Sequence, residues 1–399
     1  MLVIKKFVVS VLISVLVISV TLIPSPLPVG VVHAKRVSLN DLSRMAVGLL
    51  RQDYQTNGAR NSDAGVGSMA LYILETAKID TGSWRYAGVS LEDAVTALVI
   101  EDIKHPTDVS AKVLAQDLLA MKAIQRTDLV DQILKILQER QKAAGFDENI
   151  FSNFSAYDLL ARGECLNAIG TVEVRNYLLA QKKQGSDGSF YGWGTFPWKG
   201  KVPQPGIMST CQAIRTLSAL NSLKTDAEVQ AAIQQGLSLL QKYQQSDGSF
   251  MCGMDDPAID TAEVIITLGK LGLKADAWIS SSGKTAVDYM VEQVINPDGS
   301  LGSCRNIMNA IWVLDACASY NSSAAVQNQG RESNFKDIQG HWAEQEIRAM
   351  AGQGYVSGVG EQLFAPDASI TRAQFATLLA KFLGIDLSLP ASSVFEMYG

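Results

Sequence analysis

Histidine is scarce in this 399-residue chain: there are three, of which His33 lies in an N-terminal apolar segment and His105 precedes a proline. The cysteines, Cys165, Cys211, Cys252, Cys304 and Cys317, form no CxxC pair. The sequence therefore carries no metal-site signature. Strand patterning is missing as well. No strict alternation of apolar and polar residues is sustained between residues 36 and 320, which argues against a sheet domain there. Positive charge is not in excess either. With 34 Lys+Arg against 40 Asp+Glu the formal charge is −6, which leaves no electrostatic footprint for nucleic acid and no basic patch for anionic lipid. An odd number of cysteines outside the cytosol leaves at least one thiol free or bonded to another chain. At this length a hydrophobic core suffices without disulfides.

The first 34 residues differ from the rest. Lys5 and Lys6 precede an uncharged run from Phe7 to Ile23; Pro24, Pro26 and Pro28 follow, then the small-residue end Val32-His33-Ala34. That order reads as a secretory signal peptide over 1–34. The run is short of the ~20 residues a spanning helix needs, so the alternative of an uncleaved anchor is the weaker one. Cleavage takes away two lysines and no acids, making the mature charge −8.

Two passages nearly duplicate each other: Leu178-Leu-Ala-Gln-Lys-Lys-Gln-Gly-Ser-Asp-Gly-Ser-Phe190 and Leu239-Leu-Gln-Lys-Tyr-Gln-Gln-Ser-Asp-Gly-Ser-Phe250. A weaker copy runs from Val291 to Leu301 through Asn-Pro-Asp-Gly-Ser. Each reads as an amphipathic helix, a turn whose Gly takes positive φ, and an apolar residue that packs back on the last turn. More apolar helices follow, opened by Ser209-Thr210, Asp260-Thr261 and Asn306. A helix apolar on most of its circumference belongs inside, with its amphipathic partner outside. Upstream the alternation persists in Ser38–Gln52 with Asp63–Thr76, Leu91–Asp102 with Ser110–Ile124, and Leu129–Gln141 with Ser155–Ile169. The expected fold class is all-α, with six helical hairpins over 36–320.

The Gln…Asp-Gly-Ser-Phe turns resemble the QW-type repeat of the terpenoid cyclase and protein prenyltransferase superfamily, and that resemblance implies an α/α toroid. It carries no catalytic set over. The cyclase acid motif is reduced to Asp255-Asp256-Pro257-Ala-Ile-Asp260-Thr261-Ala262, and Asp260 reads as a helix N-cap. The Cys/His ligands of the prenyltransferase zinc have no counterpart, so neither a catalytic residue, a metal nor a cofactor is assigned. Cys211, Cys252 and Cys304 stand near the starts of successive inner helices and read as small buried hydrophobes.

Asn321–Asn334 is polar and aperiodic and reads as a flexible linker. Beyond it come Phe335-Lys-Asp337-Ile338-Gln-Gly340-His341-Trp342-Ala343, then Gly354-Tyr-Val-Ser-Gly358, Phe364-Ala-Pro366-Asp367 and Ile370-Thr371-Arg372-Ala373-Gln374-Phe375. These segments, over 335–384, resemble an S-layer homology (SLH) domain. The resemblance implies a small helical module that binds pyruvylated secondary cell-wall polysaccharide through Trp342, Thr371 and Arg372. An Arg fork suits a carboxylate and an indole face suits a sugar, although Trp342 can equally be core. Gln374 stands where that family has Glu. The family normally carries three modules, and 385–399 resembles the start of another. One module binds weakly, so either the protomer is a homo-oligomer or the chain is shortened.

The best candidate for a ligand-binding element in the toroid is the long loop from Tyr191 to Gly206, with Tyr191, Trp193, Phe196 and Trp198 among glycines, prolines, Lys199 and Lys201. Trp84, in an earlier loop, can join it. Such aromatics either meet a ligand or form a lid on the core. The reading is a secreted surface protein of the cell wall or S-layer, whose toroid binds a corrinoid, an isoprenoid or a glycan. A surface enzyme acting on a lipid or polysaccharide, or a purely structural S-layer protein, are its alternatives. The first would need carboxylates from Asp63, Asp158, Asp255, Asp256 and Asp260 to converge.

Overall fold

The computed structural model describes residues 37–60, 65–184, 188, 190–196, 204–220, 225–252, 256–329, 335–352, 356, 358–360 and 362–382. Helices are numbered in chain order. The outer ones are α1 (Leu39–Asn57), α3 (Leu91–Lys104), α5 (Thr127–Arg140), α8 (Thr171–Ala180), α10 (Ala227–Lys242) and α12 (Ala286–Gln293). The inner ones are α2 (Ser68–Thr76), α4 (Ala111–Ala123), α6 (Ile150–Arg162), α9 (Ile207–Ala219), α11 (Pro257–Lys270) and α13 (Ile307–Gln329). Outer helices bury a single stripe: Leu42, Ala46, Leu50 and Tyr54 on α1, and Leu129, Ile133 and Leu137 on α5, all at i, i+4. Inner helices bury most positions; on α11 all residues from Ala258 to Leu268 are buried.

Packing between inner helices closes a ring. α2 packs on α4, α4 on α6, α6 on α9, α9 on α11 and α11 on α13, and α13 returns to α1 and α2. The Val37 amide donates to the Val291 carbonyl at 3.1 Å, which ties the start of the ring to α12. The fold is thus an α/α toroid, and one continuous apolar core runs through it. Because an outer helix returns the chain after each inner one, the inner helices all run the same way.

The repeated turns are built alike where they are described. Gly188, Gly248 and Gly299 have φ of 77°, 89° and 83°. Asp247 Oδ1 accepts the Ser249 amide and hydroxyl at 3.0 and 2.7 Å, and Asp298 Oδ1 accepts those of Ser300 at 3.0 and 2.6 Å. Asp187 lies outside the described residues. Among the described residues the strands form short antiparallel pairs: β1 (Arg85–Tyr86) with β2 (Val89–Ser90), β3 (Lys182–Gln184) with β4 (Phe190–Trp193), and β5 (Thr195–Phe196) with β6 (Gln204–Pro205).

Several boundaries differ from the sequence reading. α6 starts at Ile150 rather than Ser155, because Asn149 caps it by accepting the Phe151 amide at 2.9 Å. It stops at Arg162, where Gly163 and a positive-φ Glu164 intervene before the short α7 (Leu166–Ile169). The N-cap of α11 is Asp256, which accepts the Ala258 amide at 2.9 Å, and not Asp260. Pro257 explains the shift, since a residue without an N–H fits the first helical position. Finally, α13 continues through Gln329 into the stretch expected to be a linker. That stretch contains no Gly or Pro before Gly330, and Ala324 and Ala325 favour helix.

The C-terminal module has its own small core of Phe335, Ile338 and Ile347, covered by Ala343, Ala351 and Phe364. It contains α14 (Glu344–Gly352) and α15 (Arg372–Phe382). Asp337 fastens the turn at 364 to the entry segment, accepting the amides of Phe364 at 2.9 Å and Ala365 at 2.6 Å. Burial raises the Asp337 carboxyl, but these amide bonds outweigh it and hold it below its ordinary value.

Candidate functional site

Charged residues are costly inside a helix that is buried all round, yet the inner helices carry five that meet one another. Arg215 on α9 is fully buried. Its Nε and Nη2 donate to Asp158 of α6 at 2.8 and 2.6 Å, and its Nη1 donates to Glu263 of α11 at 2.6 Å and to Thr267 at 2.8 Å. The other Glu263 oxygen accepts the indole N–H of Trp312 at 2.9 Å. Arg162 stands 3.3 Å from Asp158 and donates to Asp315 of α13 at 2.6 Å. Burial pushes the Asp158 carboxyl up, but Arg215 and Arg162 outweigh it and hold it below the usual carboxylate range. Burial pulls the two guanidinium groups down, and the facing carboxylates drive both above their ordinary value.

A cavity of about 490 Å³ opens beside this cluster. Its wall takes Tyr72 and Thr76 from the end of α2, Arg162 from the end of α6, Ile266 and Lys270 from α11, and Asp315 from α13. A second cavity of about 300 Å³ shares Tyr72, Thr76 and Arg162 with it and adds Glu75, Lys122 and Glu164. The larger volume lies within the ~300–1,000 Å³ range of small-molecule sites. Both sit where inner helices end.

The described part of the aromatic loop sits elsewhere. Trp193 has no exposed surface, donates its indole N–H to the Leu178 carbonyl at 2.7 Å and meets Phe190 edge-on at 5.1 Å. Its amide donates to Thr210 Oγ1 at 3.2 Å, as the Phe250 amide does to Thr261 Oγ1 at 2.9 Å. Trp193 thus holds the structural place of Phe250, displaced from the aligned Phe190 by the register shift between Lys182 and Gln184. It is a plug of the repeat, and Trp84 is likewise buried. Tyr191 is half-buried. Phe196 contributes its backbone to β5, while Trp198, Lys199 and Lys201 lie outside the described residues. Trp193→Phe, which keeps the filling and loses the hydrogen bond, should lower Tm by about 2–4 °C in a thermal melt.

Of the carboxylates considered for catalysis, the three described ones are divided between the two ends of the inner helices. Asp158 belongs to the charged cluster. Asp256 is held at the opposite ends of the helices, accepting the Cys304 amide at 2.9 Å and Asn309 Nδ2 at 2.7 Å. Burial raises its carboxyl, but these bonds and the amides of Ala258 and Ser303 bring it below its ordinary value. Asp260 is buried one turn further along α11; Asp63 and Asp255 lie outside the described residues. All five cysteines are free, with Cys304 exposed and the others buried. Burial pushes the Cys317 thiol up to about 12. Among the described residues no cluster of His, Cys, Asp or Glu could hold a metal, and no helix is long and apolar enough to cross a membrane.

In the C-terminal module Trp342 is 86 % exposed, so it is not part of that core. The His341 ring lies 5.5 Å from it and contacts Asp367 at 3.3 Å. Thr371 caps α15 by accepting the Gln374 amide at 3.1 Å, and Gln374 Oε1 accepts the Thr371 amide at 2.8 Å. Gln374 therefore completes a capping box as well as the expected Glu would. Arg372 opens the helix and is exposed.

Residues 334–376 match the S-layer homology domain family. The cellulosome-anchoring protein of Acetivibrio thermocellus is 30% identical over 103 residues, 25% of this chain and 23% of that one. Cell surface glycoprotein 1 of the same organism is 36% identical over 89 residues, 22% of this chain and 4% of that one. The chain thus spans less than a quarter of the length of either curated relative. Among solved structures, variants of the type II terpene cyclase MstE from Scytonema, one apo and one with geranylgeranyl dihydroxybenzoate, each have a TM-score of 0.46 and 14% identity, over 71% of this chain and 97% of theirs. The chain joins an α/α toroid to an S-layer homology domain and is a protein of the cell surface.

Proposed function

We propose that this protein is exported by its N-terminal signal, is held on secondary cell-wall polysaccharide by the SLH domain, and presents the toroid as a ligand-binding domain. The observation that carries the anchoring is the 86 % exposure of Trp342 on a module with a small core. A large indole left in water marks a contact surface. It can stack on a sugar, while Arg372 offers its fork to an acidic substituent. Purified cell wall that retains its polysaccharide should sediment the protein. Trp342→Ala and Arg372→Ala should each lower the bound fraction severalfold, and Arg348→Ala, whose side chain pairs with Glu344, should not. Equal retention of all three variants would remove Trp342 and Arg372 from recognition.

For the toroid, the cavity beside Arg162 and Asp315 supports binding, and the cluster behind it speaks against an acid catalyst. An acid that protonates an alkene must be neutral before it acts, whereas Asp158 is held as a carboxylate by two guanidinium groups. Thermal melts with corrinoids, isoprenoids and cell-wall glycans added separately test the reading. A ligand should raise Tm in proportion to its occupancy of the folded state; a surface enzyme would also turn one of them over. If no compound shifts the melt, the toroid is a structural part of the surface layer.

A further inference from the structure

The end of the ring that holds both cavities is electrically unlike a neutral pocket. Parallel inner helices bring their C-terminal turns to the same end, and with them the negative ends of their peptide dipoles. α2, α6 and α11 all finish at the wall of the larger cavity, at Thr76, Arg162 and Lys270. Against this background the buried cluster is unbalanced. Among the described residues, the ion pairs of Asp158, Glu263 and Asp315 are with Arg162 and Arg215, so one negative charge of the cluster is left over.

The surplus falls on the cavity wall. Arg215 also lines the cavity, but its donors are taken by Asp158 on one side and by Glu263 and Thr267 on the other. Asp315 is the only carboxylate of the three that lines the cavity. Only 9 % of it is exposed. Its Oδ2 accepts from Arg162, and among the described residues no hydrogen bond reaches its Oδ1. Lys270 stands on the same wall but is exposed, where water screens its ammonium. The neighbouring cavity supplies no compensation: Glu75 and Glu164 outnumber Lys122, whose Nζ donates to the Gly163 carbonyl at 2.5 Å. The wall also takes Tyr72 and the apolar side chains of Ile266 and Ala318.

We propose that this cavity binds an organic cation, with an ammonium group on Asp315 and the Tyr72 ring and an apolar body along Ile266 and Ala318. The proposal rests on the toroid being a ligand-binding domain and names the class of its ligand. An anion could meet the water-screened Lys270, but to reach a buried cation it would have to take Arg162 from Asp315 while facing the carbonyl ends of three helices. A neutral glycan would leave the surplus charge unmatched. An ammonium meets the carboxylate, the dipoles and an aromatic face together, which are its three usual partners.

The test uses probes of one shape and three charges: 4-phenylbutylamine, 4-phenylbutan-1-ol and 4-phenylbutyrate, titrated calorimetrically into the full chain near neutral pH and at low salt. The amine should bind tightest, by about tenfold or more over the alcohol, and the butyrate weakest. Asp315→Asn should erase the amine's advantage and leave the alcohol unchanged. Ala318→Leu, which fills the cavity, should weaken every probe that binds. Should Asp315→Asn fail to fold, Tyr72→Leu serves instead, and must weaken the amine more than the alcohol. An alcohol or butyrate that equals the amine would overturn the cation assignment while leaving a ligand-binding toroid. An amine advantage that survives Asp315→Asn would overturn it too. Silence from all three probes also defeats it, and the broader reading then stands or falls on the melts with corrinoids, isoprenoids and glycans.

Discussion

Arg215→Met should destabilise the folded chain by about 3–5 kcal/mol, the cost of stripping one partner from buried ion pairs. For a domain of this size that is a fall in Tm of about 10 °C. Methionine keeps much of the volume, so the loss is electrostatic rather than a cavity. Asp158 is left with Arg162 at 3.3 Å, and Glu263 with the Trp312 indole at 2.9 Å. Two carboxylates then remain buried with too little positive charge.

The pH dependence separates this from a packing defect. In the native chain the Asp158 carboxyl lies below its ordinary value, so its contribution is complete above the unfolded pKa of ~3.9 and is lost as pH falls through the folded one. In Arg215→Met the Asp158 carboxylate keeps only Arg162, which it shares with Asp315, so burial raises its folded pKa. A raised group contributes stability below its unfolded pKa and loses it as pH climbs through the folded one. The variant should therefore gain Tm as pH falls from neutral, where the native chain should not. A double-mutant cycle with Glu263→Gln should show coupling of about 1 kcal/mol or more between the two sites. Additive losses would mean that the 2.6 Å contact contributes nothing specific.

The ring was legible in the sequence and the charged cluster was not, for different physical reasons. Hairpin alternation is written in helical periodicity, and a stripe such as Leu129, Ile133 and Leu137 survives any loop variation. The cluster is made of single residues, one or two to a helix, whose partners lie far along the chain: Arg215 to Asp158 and to Glu263, Arg162 to Asp315. A signal did exist. Arg215 and Glu263 stand within inner helices, and a charge buried there must meet an opposite one. Trp193 misled for a local reason. Aligned by sequence, Phe190 matches Phe250, but the register shift in the β3–β4 pair hands the Thr210 hydroxyl to Trp193. An apparent loop aromatic is therefore a core residue. In the C-terminal module the short motifs are contiguous, so Thr371 and Gln374 could be read as a cap before any coordinates.

The same repeat turn should respond very differently to one substitution. Gly248→Ala should cost about 3 kcal/mol or more, while Gly299→Ala should cost about 1 kcal/mol, the strain of a left-handed alanine alone. Both glycines have positive φ, 89° and 83°. They differ in their surroundings. A Cβ on Gly248 would lie 2.1 Å from the Thr285 carbonyl oxygen and 2.7 Å from its carbon, whereas one on Gly299 meets nothing within 4 Å. Thr285 cannot give way cheaply, because it is the N-cap of α12: it accepts the Asp288 amide at 3.1 Å and donates its own amide to the Asp288 carboxylate at 2.9 Å. Pushing it aside opens that capping box as well, which adds about 1 kcal/mol. Asparagine distinguishes strain from collision, since it tolerates the left-handed region but still carries a Cβ. Gly299→Asn should be nearly neutral in urea or thermal unfolding, and Gly248→Asn nearly as damaging as alanine. If asparagine rescues both positions equally, the turn does not press on Thr285 and dihedral strain is the whole effect.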